Sequence, residues 1–116
     1  MSYMMHFKGS LSKLTNRFLF MLGLARKAGA IIIGTELVTK ALASGKVKLV
    51  IYTQNSSQNT TKRVTDKCKF YGVECEMTEH TSDEVSGAIG KSGSVCVLGI
   101  TNESFSNQLK TLIHNN

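Results

Sequence analysis

The chain contains no proline and no tryptophan, and only three of its 116 residues are cysteines. A small, odd number of cysteines argues against a disulfide framework and is typical of reduced thiols in the cytoplasm. No apolar run approaches the length of a membrane span, and the first residues lack the apolar core of a signal peptide. We therefore expect a cytoplasmic protein with a loosely ordered tail (1–10) and a single domain (11–116).

Acidic residues are scarce, and they are segregated from the basic ones. Fourteen lysines and arginines against eight acids give a net charge of +6. Residues 26–69 contain nine basic residues and two acids, whereas residues 70–116 contain two basic residues and six acids. This asymmetry predicts one basic face and a polyanionic partner, either nucleic acid or an anionic membrane surface. The alternative is a lysine-rich edge that serves only solubility.

Because proline is absent, glycines mark the ends of the predicted elements. Helical spacing of Leu11, Leu14, Phe18, Met21, Leu22 and Ala25 indicates a first helix closed by Gly29. Further helices are predicted at 35–44 (Leu37, Val38, Ala41 and Leu42 inward), from Thr60 (Val64, Cys68 and Tyr71 on one face), at 82–89, and after a cap at Asn102. Strand patterns lie at 30–33, 47–53, 73–77 and 94–100. Alternating helices and strands predict an α/β domain with helices on both faces of the sheet.

Patterns typical of metal sites and catalysis are weak. No cysteine or histidine pair has zinc-site spacing, and Cys68 and Cys96 fall on apolar faces, which predicts inert thiols. A nucleophilic pair of Cys75 and His80 lacks an orienting third group. Residues 87–93 resemble part of a phosphate loop, but the helix precedes and the strand follows, so a turn is favoured. We expect no metal, no cofactor and no catalytic residues.

The basic residues form a more informative set. Arg26 and Lys27 end the first helix, Lys40 lies in the second, and Lys62 and Arg63 open the third. Several of these positions flank strand-to-helix loops, where helix N-termini present free N–H groups to anions. Together they predict a surface that holds phosphate oxygens.

The segment "LGLARKAGAIIIGTELVTKALASGKVKLVIYTQNSSQNTTKRVTDKC" closely resembles the bacterial YlxQ-like branch of the ribosomal protein family L-seven-A-e. The resemblance covers about residues 11–113, and its most specific element is "G-T-x-x-V-T-K-A", from Gly34 to Ala41. It implies a three-layer α-β-α sandwich around a mixed four-stranded sheet, no catalytic activity, and binding of kink-turn RNA. Members of the family hold the bent RNA with the start of the second helix and the loops before the third and fourth helices.

The resemblance also implies site residues in this chain. Gly34 would let the backbone approach the RNA, Lys40 and Lys62 would contact phosphates, and residues 79–82 would approach the unpaired nucleotides of the bend. The RNA-binding residues expected in this way, together with the basic set, are Arg26, Lys27, Gly34, Thr35, Glu36, Lys40, Lys62, Arg63, Glu79, His80, Thr81 and Ser82.

Two positions depart from the pattern of the archetypal ribosomal members. Glu36 and Leu37 stand where those members have Asn-Glu, and Val85-Ser86 replaces a Leu-Gly pair. A carboxylate offers only acceptors, which suit the guanine N–H donors of a G·A pair, so we expect Glu36 to read the RNA. The alternative is an ion pair with Lys40 one helical turn away, and Leu37 is expected in the core.

The sequence thus predicts a protein that binds structured, kink-turn-type RNA and is associated with the ribosome. Its expected partner is structured RNA such as ribosomal RNA, with no membrane and no small-molecule substrate. Two alternatives remain open. One is a protein-interaction module on the same fold, and the other is an RNA-recognition subunit for a separate RNA-modifying enzyme.

Overall fold

In a computed structural model, which describes residues 17–115, four strands form one mixed sheet with five helices packed around it. The first helix, α1, is described over residues 17–27. The elements that follow are β1 (Ile31–Ile33), α2 (Thr35–Ala43), β2 (Leu49–Thr53), α3 (Gln58–Tyr71), β3 (Glu74–Thr78), α4 (Ser82–Ala88), β4 (Val97–Ile100) and α5 (Glu103–His114). The predicted tail (1–10) and the inward positions Leu11 and Leu14 lie outside the described residues.

The strand order is β1-β4-β2-β3. β2 and β3 are parallel, and β4 runs antiparallel to both β1 and β2. The carboxyl ends of β1, β2 and β3 and the start of β4 therefore meet at one edge of the sheet. The loops that leave this edge lead into α2, α3 and α4.

Both faces of the sheet are covered by helices, which confirms the three-layer α-β-α sandwich. One core contains Phe18 and Leu22 of α1, Val85 of α4 and Leu109 of α5, packed on strand residues such as Ile51. The second core joins α2 and α3 to the opposite face and contains Val38, Leu42, Val47, Val50, Val64, Cys68 and Val97. Successive side chains of a strand point to opposite faces of the sheet, so the same strands contribute residues to both cores.

Side-chain caps mark the starts of α3, α4 and α5. Ser57 caps α3 by accepting from the backbone N–H of Thr60. The helix begins at Gln58, two residues before the predicted start at Thr60. Thr81 and Glu84 form a reciprocal capping box at α4. Asn102 caps α5, as predicted, by accepting from the N–H of Phe105.

Two predicted core positions are wrong. Leu37 is 58% exposed, whereas Thr39 is buried. The buried face of α2 therefore includes Thr39 and not Leu37. The Thr39 hydroxyl donates to the carbonyls of Thr35 and Glu36 at 2.9 and 3.0 Å, so this polar group is satisfied inside the protein. Tyr71, at the end of α3, is also exposed, and its ring packs against Phe70.

None of the helices described between residues 17 and 115 combines the length and the apolar character that crossing a bilayer requires.

Candidate nucleic-acid interface

The loops at the carboxyl ends of β2 and β3 are joined by side-chain hydrogen bonds. The Asn55 amide accepts from the backbone N–H of Ser82 and donates to its hydroxyl, both at 3.0 Å. The side-chain amide of Gln54 donates to the carbonyl of Glu79. These bonds hold the loop before α3 against the loop before α4. We call the surface formed by Gly34 and residues 54–57, 79–81 and 91–96 the loop edge.

Gly34 opens a gap in the loop edge at the start of α2. Its φ of 99° lies in a region that L-residues rarely adopt, and a Cβ there would meet no atom within 4 Å. The Gly34 N–H donates to the carbonyl of Val97 at 3.0 Å, which fixes the turn. A side chain is thus excluded by the backbone conformation, and the space beside the backbone stays open.

The N-terminus of α2 lacks the side-chain cap found on α3, α4 and α5. Its first N–H groups therefore have no side-chain acceptor and are directed towards the loop edge. The adjoining cleft has a volume of about 390 Å³, and its polar lining comes from Thr35, Thr60, Lys91 and Ser94. Such a site is suited to anions, since it combines N–H donors, hydroxyls and a lysine.

Three residues that line the candidate cleft were not predicted from the sequence, namely Thr60, Lys91 and Ser94. The segment around Lys91 was expected to be only a turn, and it is one, since Gly90 and Gly93 have φ values of 69° and 85°. That turn carries Lys91 to the cleft beside Gly34. The available signal was the lysine between two glycines, in the loop that returns to β4.

Glu36 does not pair with Lys40 but with Arg63 of α3. The Arg63 Nη1 and Nη2 atoms donate to the two carboxylate oxygens at 2.7 and 3.1 Å. This bidentate pair lowers the pKa of Glu36, and the nearby charge of Lys40 contributes less. The same hydrogen bonds raise the pKa of Arg63. The alternative of a Glu36–Lys40 ion pair is therefore wrong, and hydrogen bonds between Glu36 and Arg63 join the starts of α2 and α3 instead.

Lys40 and Lys62 are both exposed, but they differ in their partners. The Lys62 ammonium lies 3.1 Å from Asp66 on the next turn of α3. No ion pair within residues 17–115 includes Lys40. Lys62 is therefore paired with a carboxylate, whereas Lys40 forms no ion pair with the residues that the structure describes.

The residues expected to approach RNA between 79 and 82 divide into exposed and buried ones. Glu79 is exposed and Thr81 half-buried, whereas Ser82 is buried beneath Asn55. His80 is 3% exposed, and its ring stacks on Phe18 with centroids 5.4 Å apart. The side chains of His80 and Ser82 support the loop from inside, while Glu79 and Thr81 are accessible at its surface.

Arg26 and Lys27 are exposed, but the structure does not bring them to the loop edge. They precede Ala30, whose carbonyl accepts from Thr101 beyond the end of β4, whereas Gly34 contacts Val97 at its start. The length of β4, about 13 Å at the usual rise of a strand, separates the two contacts. Arg26 and Lys27 therefore lie towards the opposite end of the sheet.

Cysteines and acids within the described residues do not form a metal site. No group of three potential ligands lies close enough between residues 17 and 115 to hold an ion. Cys68 is buried in the core between the sheet and α2 and α3, and Cys75 and Cys96 pack against that core. Hydrogen bonding from Cys68, together with burial, raises the pKa of the Cys75 thiol far above its ordinary value.

The three-layer α-β-α sandwich and its polar loop edge define the class of fold, and sequence comparison gives the family. Residues 17–110 match the Ribosomal protein L7Ae/L30e/S12e/Gadd45 family. The chain is 40% identical over 94 residues to RNA-binding protein YlxQ of Bacillus subtilis (strain 168), an alignment that spans 80% of this chain and 91% of that protein. Identity to RNA-binding protein YlxQ of Enterococcus faecium is 36% over 93 residues, spanning 80% and 87%. This chain therefore belongs to the L7Ae/L30e/S12e/Gadd45 family.

Solved structures support the same fold. A protein of unknown function from Bacillus halodurans C superposes with a TM-score of 0.78 at 34% identity, over 84% of this chain and 96% of that one. The Giardia lamblia 15.5kD RNA binding protein superposes with a TM-score of 0.71 at 18% identity, over 89% and 87%. At that low identity the second likeness concerns the fold alone.

Proposed function

We propose that this protein binds structured RNA of the kink-turn type through the loop edge, and that it acts by binding and not by catalysis. The observation that carries the proposal is the uncapped start of α2, where the open gap at Gly34 adjoins the Glu36–Arg63 pair. The names of the two YlxQ relatives support RNA as the ligand. The net charge of +6 is favourable for the same ligand.

Phosphate groups are bound by the cleft beside Gly34. The free N–H groups of α2 donate to phosphate oxygens, and Lys91 supplies positive charge within the cleft, while Lys40 lies further along α2. Because Gly34 has no side chain, a sugar-phosphate backbone can approach the peptide closely. These contacts position the RNA but do not distinguish its bases.

Glu36 distinguishes the bases. An ionised carboxylate has about four lone-pair positions, and Arg63 uses two of them. The remaining positions accept from the guanine N–H groups of a G·A pair. Arg63 also compensates the negative charge of Glu36, which would otherwise repel neighbouring phosphates.

Ribosomal RNA, in the cytoplasm, is the proposed partner class, because the family description includes ribosomal proteins. Chemical-shift mapping of the ¹⁵N-labelled protein with a kink-turn RNA tests the proposed surface. We expect the largest amide shifts at Gly34, Glu36, Asn55 and Thr81. Shifts concentrated around Arg26 and Lys27, or scattered over the whole surface, would contradict the proposal.

A further inference from the structure

An exposed aromatic side chain lies on α3 beyond the loop edge. Phe70 is 80% exposed, close to the C-terminal end of the helix. Its ring centroid lies 4.8 Å from that of Tyr71 at an interplanar angle of 87°. This edge-to-face contact orients the rings, while most of the Phe70 surface stays open to solvent.

Phe70 ends a stripe of residues on α3 that begins at Arg63, beside the first turn of α2. Arg63, Lys67 and Phe70 are separated by four and three residues, which places them on one face of α3. With Asp66 they line a shallow depression of about 400 Å³. The Asp66 carboxylate pairs with Lys62, and Arg63 pairs with Glu36. Lys67 is therefore the basic residue of the stripe that forms no ion pair within residues 17–115. From Arg63 to Phe70 the stripe runs about 10 Å along the helix.

Cationic side chains next to an open aromatic ring have the chemistry of a site for single-stranded nucleic acid. Lysine and arginine attract the phosphate groups of the nucleic acid, and the aromatic ring stacks on a base without selecting its identity. A protein partner would gain little from the lysine charges, because charged side chains are depleted in the centres of protein interfaces. The charges of the stripe therefore favour RNA as its occupant.

We propose that Phe70 is a stacking site for an unpaired nucleotide of a strand that leaves the RNA bound at the loop edge. This inference rests on the proposed function and extends it. The ligand is then a structured RNA with a single-stranded extension, whose phosphates follow Arg63 and Lys67 and whose base stacks on Phe70. The contact adds affinity without adding sequence specificity.

The test compares a minimal kink-turn RNA with versions that have about six extra unpaired nucleotides at one end or the other. We expect the wild type to bind one extended RNA about tenfold more tightly than the minimal RNA. Phe70→Ala and Phe70→Leu should lose this gain and keep the affinity for the minimal RNA. Both variants should fold, because Phe70 is exposed, and thermal unfolding verifies this.

Phe20 supplies a matched control. It is 68% exposed but lies on α1, on the other face of the sheet, so Phe20→Ala should keep the gain. Equal affinity of the wild type for minimal and extended RNAs overturns the inference alone, and so does a gain that survives in Phe70→Ala. A wild type that binds none of these RNAs overturns the proposed function and this inference with it.

Discussion

The guanidinium of Arg63 donates to both carboxylate oxygens of Glu36, at 2.7 and 3.1 Å. The pair joins the first turn of α2 to the second turn of α3, and it lies beside the gap at Gly34. Both side chains are substantially exposed, so the contribution of the pair to stability is small. In the proposed function, the pair fixes the direction of the Glu36 carboxylate as an acceptor for the RNA.

Arg63→Ala should therefore weaken RNA binding by more than the loss of one exposed positive charge alone would. Without Arg63, Glu36 loses its orientation and presents an uncompensated negative charge to phosphates. We expect about tenfold weaker binding, and partial recovery in the double variant Arg63→Ala/Glu36→Gln. Fluorescence anisotropy with one kink-turn RNA measures the whole cycle. Additive effects of the two substitutions would show that the pair plays no part in recognition.

Gly34→Val should abolish RNA binding and cost about 1–2 kcal/mol of stability, because valine is strained at a positive φ and its side chain fills the gap. Gly45→Val is the matched control. Gly45 has a similar φ of 76° and equally open surroundings, but it follows the other end of α2. Comparable destabilisation is expected there with RNA binding retained. Tight binding by folded Gly34→Val would refute the close approach of the RNA backbone.

Lysine substitutions should change the salt dependence of binding unequally. Lys40→Ala should weaken binding and reduce the slope of log K against log salt by about one. Lys62→Ala should have a smaller effect, because Lys62 is already paired with Asp66. Asp66→Asn releases Lys62 and removes a negative charge, so it should strengthen binding. Titrations between low and physiological salt test this order, and a wild type insensitive to salt would exclude this surface as a phosphate site.

The stability of the free protein should depend on pH through Glu36 and Glu84. Arg63 lowers the pKa of Glu36, and hydrogen bonding from the Thr81 backbone N–H is the main cause of the lowered pKa of Glu84. A carboxyl whose pKa is lowered on folding stabilises the protein above its ordinary value of 4.5, and that stability is lost as pH falls through the folded value.

The double variant Glu36→Gln/Glu84→Gln should therefore have a lower unfolding midpoint than the wild type at pH 7. The difference should be constant down to about pH 5 and shrink as the pH falls below about 4.5. Urea denaturation across this range measures it. A difference that stayed constant down to pH 3 would mean that neither carboxylate contributes through its charge.

Features encoded by neighbouring residues were predictable from the sequence. Asn102 precedes an amphipathic run and caps α5, and the alternation of helices and strands gives the layered fold. Leu37 was misplaced because apolar spacing alone ignores a threonine that can satisfy its hydroxyl within its own helix. The buried face of α2 includes Thr39, which leaves Leu37 on the exposed side of the helix.

Features that depend on packing between helices were not predictable. Glu36 and Arg63 are 27 residues apart, and only the packing of α2 against α3 makes them partners. Lys91 reaches the cleft through a turn set by two glycines, whose direction the sequence does not specify. The resemblance predicts which elements form the site, whereas the pairing of Glu36 with Arg63 is seen only in the structure.

The most direct test of the account is the ratio of two affinities of the wild-type protein. One is for a kink-turn RNA, and the other is for the same RNA with its G·A pairs replaced by Watson–Crick pairs. Recognition by Glu36 predicts a preference of about tenfold or more for the first RNA, and this preference should disappear in Glu36→Ala. Equal affinities for the two RNAs in the wild type would contradict recognition of the kink-turn.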